Sequence, residues 1–309
     1  MPGTMSDRAR TGPMQKLDIL TWNVQWFCGL DGRVSVERVL DEARALVDFD
    51  VLCLQEVAID YPGLGGGAGF DQVRRVRELL PAPFEVHYAA AVDEAGRHPE
   101  GRRQQFGNLI ATRWPAALVR RHALPWPADG GVRSMPRVCL SATIDTPFGW
   151  PLRVMTTHLE YYSKRQRSAQ AAALRELHVQ ASGHAAAPPL EQPDDIGGPF
   201  QAKRHAARAV LCGDFNFESA DAEYAAVQAE VPLPAHRLVD AWAHANPQTP
   251  HAGTFRVHNK RYGPEPTTYD FFFVSADLLP LVRSVRVDTA SRASDHQPVW
   301  LQLATKPLA

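Results

Sequence analysis

Apolar residues in this chain come in short runs on consecutive positions, and this pattern constrains the fold more than any other feature of the sequence. Runs at residues 17–22, 51–55, 84–88, 108–112, 138–144, 152–157, 209–212, 269–274, 282–287 and 298–303 are too short for helices and read as strands. Many are apolar at successive rather than alternate positions, so these strands are expected to be covered on both faces. Helical periodicity is sparser. It appears at 34–47, where Val36, Val39, Leu40, Ala43 and Val47 form one stripe, at 72–80, at 164–180 and more weakly at 222–230. Strands that outnumber helices, with irregular alternation, argue against a simple βαβ repeat. They favour an α+β architecture of two packed sheets with helices outside.

The chain has 309 residues, within the range of one large layered domain. No domain linker or internal repeat interrupts it. Residues 15–305 are expected as a single catalytic domain after a flexible N-terminal lead-in at 1–14. A Gly-rich stretch at 63–69 reads as a surface excursion. So does a surface insert at about 182–205, which is long for an ordinary connection and reads as a lid or a disordered segment. The formal net charge of −1 excludes a globally basic nucleic-acid clamp, so any basic surface must be local. The four cysteines include no CxxC pair, and those within apolar runs read as buried thiols. No apolar window is long enough to span a bilayer. Stable membrane insertion is therefore not expected, and the expectation is a cytoplasmic monomer.

The polar residues at the ends of the runs carry the chemistry. One strand is expected to end on Asn23 and another on Glu56, and oxygen ligands at neighbouring strand ends suit a hard divalent cation. His158 closes a third strand ahead of a helix, where an imidazole can donate to phosphate oxygens. Asp214 and Asn216, one residue apart after Gly213, point the same way off an extended segment. One can take a proton from water while the other orients the attacking group. Asp270 is a lone carboxylate in an aromatic run and needs a partner. His296 is the candidate, and the pairing would raise its pKa. That leaves Asp295 free to contact a metal.

The order Asn, Glu, His, Asp-x-Asn, Asp, Asp-His resembles the endonuclease/exonuclease/phosphatase superfamily, whose fold is that of deoxyribonuclease I, over residues 17–303. The resemblance implies a four-layer αββα sandwich of two mainly antiparallel sheets. It also implies a Mg2+-dependent phosphoesterase, with Mn2+ as a substitute. Carried over by residue, it makes Glu56 the principal metal ligand, with Asn23 and Asp295 beside it. Asp214 becomes the activator of water and Asn216 its orienting partner. His158 becomes the phosphate-contacting histidine, and Asp270 with His296 an orienting pair. Gln25 stands where some apurinic-endonuclease relatives carry an acid, which favours one metal over two.

Substrate contacts are expected from Arg165 and Arg167, a clamp for a phosphate next to the scissile one, and from Trp26, a stacking platform. Asn108 is a further candidate, in a segment that matches a scaffold strand of the family. His251 and His258 could line a substrate loop. The run from His158 to Glu160, followed by Arg167 and Gln170, resembles the branch with tyrosyl-DNA phosphodiesterase-like and sphingomyelinase-like enzymes. Phe217-Glu218 departs from the inositol polyphosphate 5-phosphatase signature. A nuclease, endo- or exonucleolytic, is the first expectation. The alternatives are a phosphatase, a sphingomyelinase-like phospholipid or small-molecule phosphodiesterase, and a catalytically inactive binding relative.

Overall fold

Consecutive apolar residues form strands here because each strand has an apolar layer on either face to receive its alternate side chains. The computed structural model describes residues 15–96 and 102–305, so the lead-in expected at 1–14 lies outside the described residues. In chain order the elements are β1 (Lys16–Asn23), α1 (Val36–Leu46), β2 (Val51–Ile59), α2 (Gln72–Leu79), β3 (Glu85–Ala95), β4 (Arg103–Thr112), β5 (Ala116–Ala123), β6 (Val138–Ile144), β7 (Leu152–His158), α3 (Lys164–Ala186), β8 (Ala209–Asp214), α4 (Ala222–Val227), β9 (Leu238–Asp240), α5 (Ala241–Ala245), β10 (Asp270–Ser275), β11 (Val282–Val287) and β12 (Val299–Ala304). The strands make two six-stranded sheets, ordered β11-β12-β1-β2-β4-β3 and β5-β6-β7-β8-β10-β9.

Side-chain alternation sorts the core into three apolar layers. Leu17, Ile19, Val51 and Ile110 of the first sheet meet Val154, Val210, Phe272 and Val274 of the second in a shared central core. Their neighbours Leu20, Trp22, Leu52 and Leu54 point the other way and receive Val36, Val39 and Leu40 of α1 with Val73 and Val76 of α2. On the far side Met155, Leu211, Phe271 and Phe273 receive Ala171 and Leu174 of α3 and Val227 of α4. The result is the expected four-layer αββα sandwich. Each main helix starts on a side chain that accepts from its first turn: Ser35 from Arg38 N at 3.2 Å, Asp71 from Arg74 N at 2.8 Å, and Ser163 from Gln166 N at 3.1 Å.

All pairings are antiparallel except one in the middle of each sheet, β1 with β2 and β7 with β8. Each parallel pair is joined through a helix, α1 or α3, so each sheet carries one βαβ unit. Parallel strands present their carboxyl ends side by side, which is where open α/β sheets bind ligands. Here the two units open toward the same side of the sandwich.

Two strands and one helix escape the sequence pattern. Strand β5 is an edge strand whose residues are half-buried or exposed, and its short apolar stretch, residues 116–119, gives way to Arg120 and Arg121. Strand β9 and helix α5 are only 3 and 5 residues long. The insert also differs from expectation. Helix α3 continues to Ala186, and the following connection returns to the start of β8, the end of the sheet remote from the loops that follow β7 and β8. Its base is tied there by Arg153 Nη1, which donates to Ala206 O at 2.8 Å. A lid over those loops is therefore excluded for this segment.

The same buried Arg153 donates through Nη2 to His178 Nδ1 at 2.6 Å, and His178 Nε2 donates to His236 O at 2.7 Å. Both imidazole nitrogens are thus spoken for in the neutral form. Burial and the adjacent Arg153 push the His178 pKa down to about 4 from the ordinary 6.5. The unfolded chain takes up this proton first. The contribution of neutral His178 is therefore intact above about pH 6.5 and is lost as pH falls toward about 4, at ~1.4 kcal/mol per unit or about 3 kcal/mol in all. Thermal melts from pH 7 to pH 4 should show a steeper fall in Tm for the wild-type chain than for His178→Gln, whose amide can keep both hydrogen bonds without titrating.

Candidate active site

Six chain segments deliver polar side chains to the side of the sandwich where the parallel pairs open. Asn23 is the last residue of β1, His158 the last of β7 and Asp214 the last of β8, while Asp270 is the first of β10 and faces Asp214 across the ladder. Glu56 does not end its strand as the sequence suggested. β2 runs on to Ile59, and Glu56 sits in an irregularity of the ladder between Leu54 and Val57 with φ +61°. A bulge of this kind re-aims a side chain that would otherwise follow the pleat. Other backbone in the left-handed region clusters here too: Gln25, Trp26 and Phe27 at φ +46°, +45° and +61°, and Asn216 at φ +51°. Such conformations cost energy and persist where the surroundings impose them.

The side chains meet on Asp214. Its Oδ2 receives Asn23 Nδ2 at 2.9 Å and lies 3.4 Å from His158 Nε2 and 3.6 Å from His296 Nε2. Its Oδ1 receives the main-chain N–H of Asn216 at 3.0 Å. Asn216 Nδ2 is held in turn by Leu159 O at 2.9 Å. Asn23 Nδ2 also donates to Glu56 Oε1 at 3.1 Å, and His158 Nδ1 lies 3.8 Å from the same oxygen. His296 Nδ1 pairs with Asp270 Oδ2 at 2.8 Å, as expected, and its ring stacks on Phe255 with centroids 4.6 Å apart. Trp22 Nε1 donates to His296 O at 2.9 Å, so the first-sheet tryptophan helps seat the histidine loop. Asp295 Oδ2 receives Gln25 Nε2 at 3.1 Å.

Environment gives these groups different charge states. Burial opposes a charge on His296, but the carboxylates of Asp270 and Asp214 outweigh it and lift its pKa to about 10. His158 goes the other way: burial, with Arg137 and His296 adding repulsion, holds it well below the ordinary value and keeps it neutral. Burial raises Asp214 to about 6 against the pull of His296. Desolvation in the pocket and the charge of Asp295 raise Glu56 to about 7, and burial raises Asp295 itself.

Glu56 and Asp295 are buried carboxylates in one pocket, the charge of Asp295 raising the proton affinity of Glu56, and an all-oxygen donor set of this kind suits a hard divalent cation. Glu56 and Asp295 could therefore hold such a cation. Asp214, Asp270 and His296 also bring ligand atoms within 4.8 Å of one another, but the imidazolium already supplies the cation there. Asn23 differs from the ligand role expected of it. Its Oδ1 accepts from Gln25 N at 3.1 Å, so the amide nitrogen, not the oxygen, faces Glu56 and Asp214.

Of these groups Gln25, Glu56, His158, Asp214, Asn216, Asp295 and His296 line an open pocket of about 330 Å³, with Asn23 and Asp270 behind them. Of the expected substrate contacts, Trp26 lines it. Arg165, Arg167 and Asn108 do not: Arg165 Nη1 donates to Ala128 O at 2.9 Å, Arg167 Nη1 to Glu160 O at 2.9 Å and Tyr161 O at 2.8 Å, and Asn108 Nδ2 to Val138 O across the sheets at 2.9 Å. A basic helix start next to a predicted site histidine looks like an anion clamp in sequence, but its long side chains reach back to cap nearby carbonyls. His251 stacks on Trp242 with centroids 4.3 Å apart, and His258 Nε2 bonds Thr289 O at 2.9 Å, so neither reaches the pocket. The sequence reading missed Arg133, Arg137, Tyr61 and Tyr262, which line it. Arg137 alone left a signal, a single charge placed directly before the buried run of β6.

The sequence matches the family described as "Endonuclease/Exonuclease/phosphatase family" over residues 20–296. No curated protein matches the chain. Among solved structures, an endonuclease/exonuclease/phosphatase from Beutenbergia cavernae is 24% identical, with TM-score 0.63 over 94% of this chain and 71% of that one. The mannosyl-6-phosphatase Bt3783 of Bacteroides thetaiotaomicron is 17% identical, with TM-score 0.60 over 94% of this chain and 100% of that one. The human Nocturnin catalytic domain, solved with a bound sulfate anion, is 19% identical, with TM-score 0.60 over 97% of this chain and 100% of that one. At these identities the likeness is one of fold.

Gly213 tests how the strand ends are set. Its φ is +131°, and a Cβ there would meet Thr157 O on β7 at 2.0 Å. Gly213→Ala is expected to push β8 from β7, lower stability by about 2 kcal/mol or more, and displace Asp214. Denaturant melts check the first effect, and activity measured well below the new midpoint checks the last.

Proposed function

Because the chain belongs to the endonuclease/exonuclease/phosphatase family, whose members hydrolyse phosphate esters, we propose that it is a magnesium-dependent phosphodiesterase acting on nucleic acid. The observation that carries this reading is the convergence of Asn23, His158 and His296, from three separate segments, on one oxygen of Asp214 beside the Glu56–Asp295 pair. In this proposal residues 15–305 form one catalytic domain, working as a cytoplasmic monomer.

The residues divide the work by their charge states. Asp214 takes the proton from the attacking water, and a pKa near 6 suits a base at neutral pH. Asn23 Nδ2 and the Asn216 N–H hold that carboxylate in place. His296, kept protonated and oriented by Asp270, offsets charge that develops on the phosphate oxygens. Neutral His158 contributes an N–H donor beside the same Asp214 oxygen. Magnesium held by Glu56 and Asp295 would polarise the phosphate and lower the pKa of bound water, and manganese could replace it. Aromatic side chains at the mouth, Trp26, Tyr61, Tyr161, Tyr162 and Tyr262, offer stacking faces for bases. They favour a nucleotide chain over a compact sugar phosphate. The fold likeness to a mannosyl-6-phosphatase keeps phosphomonoester hydrolysis as the second reading.

An activity screen with magnesium over single-stranded DNA, duplex DNA, RNA, bis-p-nitrophenyl phosphate and inositol phosphates decides between them. Cleavage of DNA or RNA is the expected result. Turnover of monoesters alone would make the protein a phosphatase, and no turnover at all a binding relative. Asp214→Ala is expected to melt within a few degrees of the wild type while kcat falls at least about 1,000-fold. His296→Ala should lose activity to the same degree and also stability, since it leaves the buried Asp270 unpaired.

Isothermal calorimetry tests the cation site separately. Magnesium uptake should be present in the wild type and lost in Glu56→Ala. Uptake that survives this substitution would move the metal elsewhere.

A further inference from the structure

We propose that Arg137, with Arg133 beside it, forms a subsite for a second phosphate of the substrate, the one flanking the scissile group. The inference rests on the phosphoesterase reading and narrows its substrate to esters that carry two phosphates.

A flanking anion would need a cation, and the helix start that carries Arg165 and Arg167 does not supply one, since both side chains turn to main-chain carbonyls. Among the described residues that line the pocket, Arg133 and Arg137 are the only Lys or Arg. Arg137 is 6% exposed, and its Nη1 is buried without a hydrogen-bond partner. An unpaired buried N–H of a charged group is costly, and a ligand oxygen would satisfy it.

Glu160 cannot do so. It holds Arg137 through Nε alone, at 3.1 Å, and its carboxylate is otherwise occupied by Met135 N at 3.3 Å and Tyr162 N at 3.0 Å. A guanidinium fixed through Nε keeps its other edge for an anion, and the planar fork matches phosphate oxygens. Arg133 stands at the exposed mouth of the same wall. Its guanidinium lies 5.2 Å from the centroid of the Tyr162 ring, and its Nη1 is 3.3 Å from the Tyr162 hydroxyl. Arg137 also acts on His158, lowering its proton affinity, so its charge is felt at the site of reaction. Arg137 and His158 line the same pocket, so a phosphate bound to Arg137 lies beside the reacting group.

The test compares kcat/KM for the dinucleotide d(TpT) with d(pTpT) and d(TpTp), which add one phosphate at either end. A parallel arm compares an inositol bisphosphate with the monophosphate. Wild type is expected to prefer one of the two-phosphate dinucleotides by about 10- to 100-fold. That ratio should fall toward one in Arg137→Gln, mainly through KM, and partly in Arg133→Gln. Arg137→Lys keeps the charge and the link to Glu160 but removes the fork, so it should lose the ratio even if the Gln variant folds poorly. A wild-type enzyme without preference in either arm overturns the subsite. So does a ratio unchanged in the Arg137 variants, which would make the Arg137–Glu160 pair purely structural. If neither dinucleotide is cleaved but the inositol bisphosphate is preferred through Arg137, the subsite stands and the nucleic-acid reading fails.

Discussion

Asn23 Nδ2 donates to Glu56 on its own sheet and to Asp214 on the facing one, and the pocket takes its shape from that bridge. The interface between the sheets is mostly apolar, and apolar contacts alone let two surfaces slide. Polar ties do not, because a slipped partner leaves a buried group unpaired. Two further ties serve the same end: Gln55 Nε2 to Thr156 Oγ1 at 2.8 Å, and Asn108 Nδ2 to Val138 O at 2.9 Å. Asn108 thus acts at a distance from substrate by fixing the frame. The two βαβ units are registered against each other by side-chain hydrogen bonds.

The same frame sets two histidines to opposite tasks. His296 has a carboxylate on each side and keeps its proton, whereas His158 shares its neighbourhood with Arg137 and stays neutral. One imidazole is thereby held charged and the other neutral, although the residue type is the same. The pair of buried acids at Glu56 and Asp295 completes the division by leaving a deficit that a divalent ion can fill.

The fold was legible in the sequence to the extent that burial is periodic. Strands covered on both faces, such as β6, β7 and β10, announce themselves as apolar runs, and the stripe of α1 does the same. The edge strand β5, apolar only over residues 116–119, and the three-residue β9 carry too little of this pattern. Several candidate site residues were legible because they flank apolar runs: Asn23, His158 and Asp214 close strands, and Asp270 opens one. Reaching beyond them failed for two physical reasons. Long basic side chains choose partners that sequence does not display, as Arg165 and Arg167 show. An amide has two ends, and only the hydrogen bond from Gln25 N to Asn23 Oδ1 decides which end of Asn23 faces the carboxylates. The bulge that lifts Glu56 into the pocket was likewise invisible, since nothing in residues 51–59 marks an irregular ladder.

The first sheet joins strands from opposite ends of the described chain: Lys16 pairs with Ala304, and β12 lies between β1 and β11. Until β12 is made, β1 has a bare edge on one side, and His296, only a few residues ahead of β12, has not yet met Asp270. On a ribosome, therefore, the step that seals the sheet against aberrant strand pairing is also the step that brings in the imidazolium. Long-range closure of this kind is slow to nucleate. A nascent or prematurely terminated chain would be inert for the same reason that it is sticky.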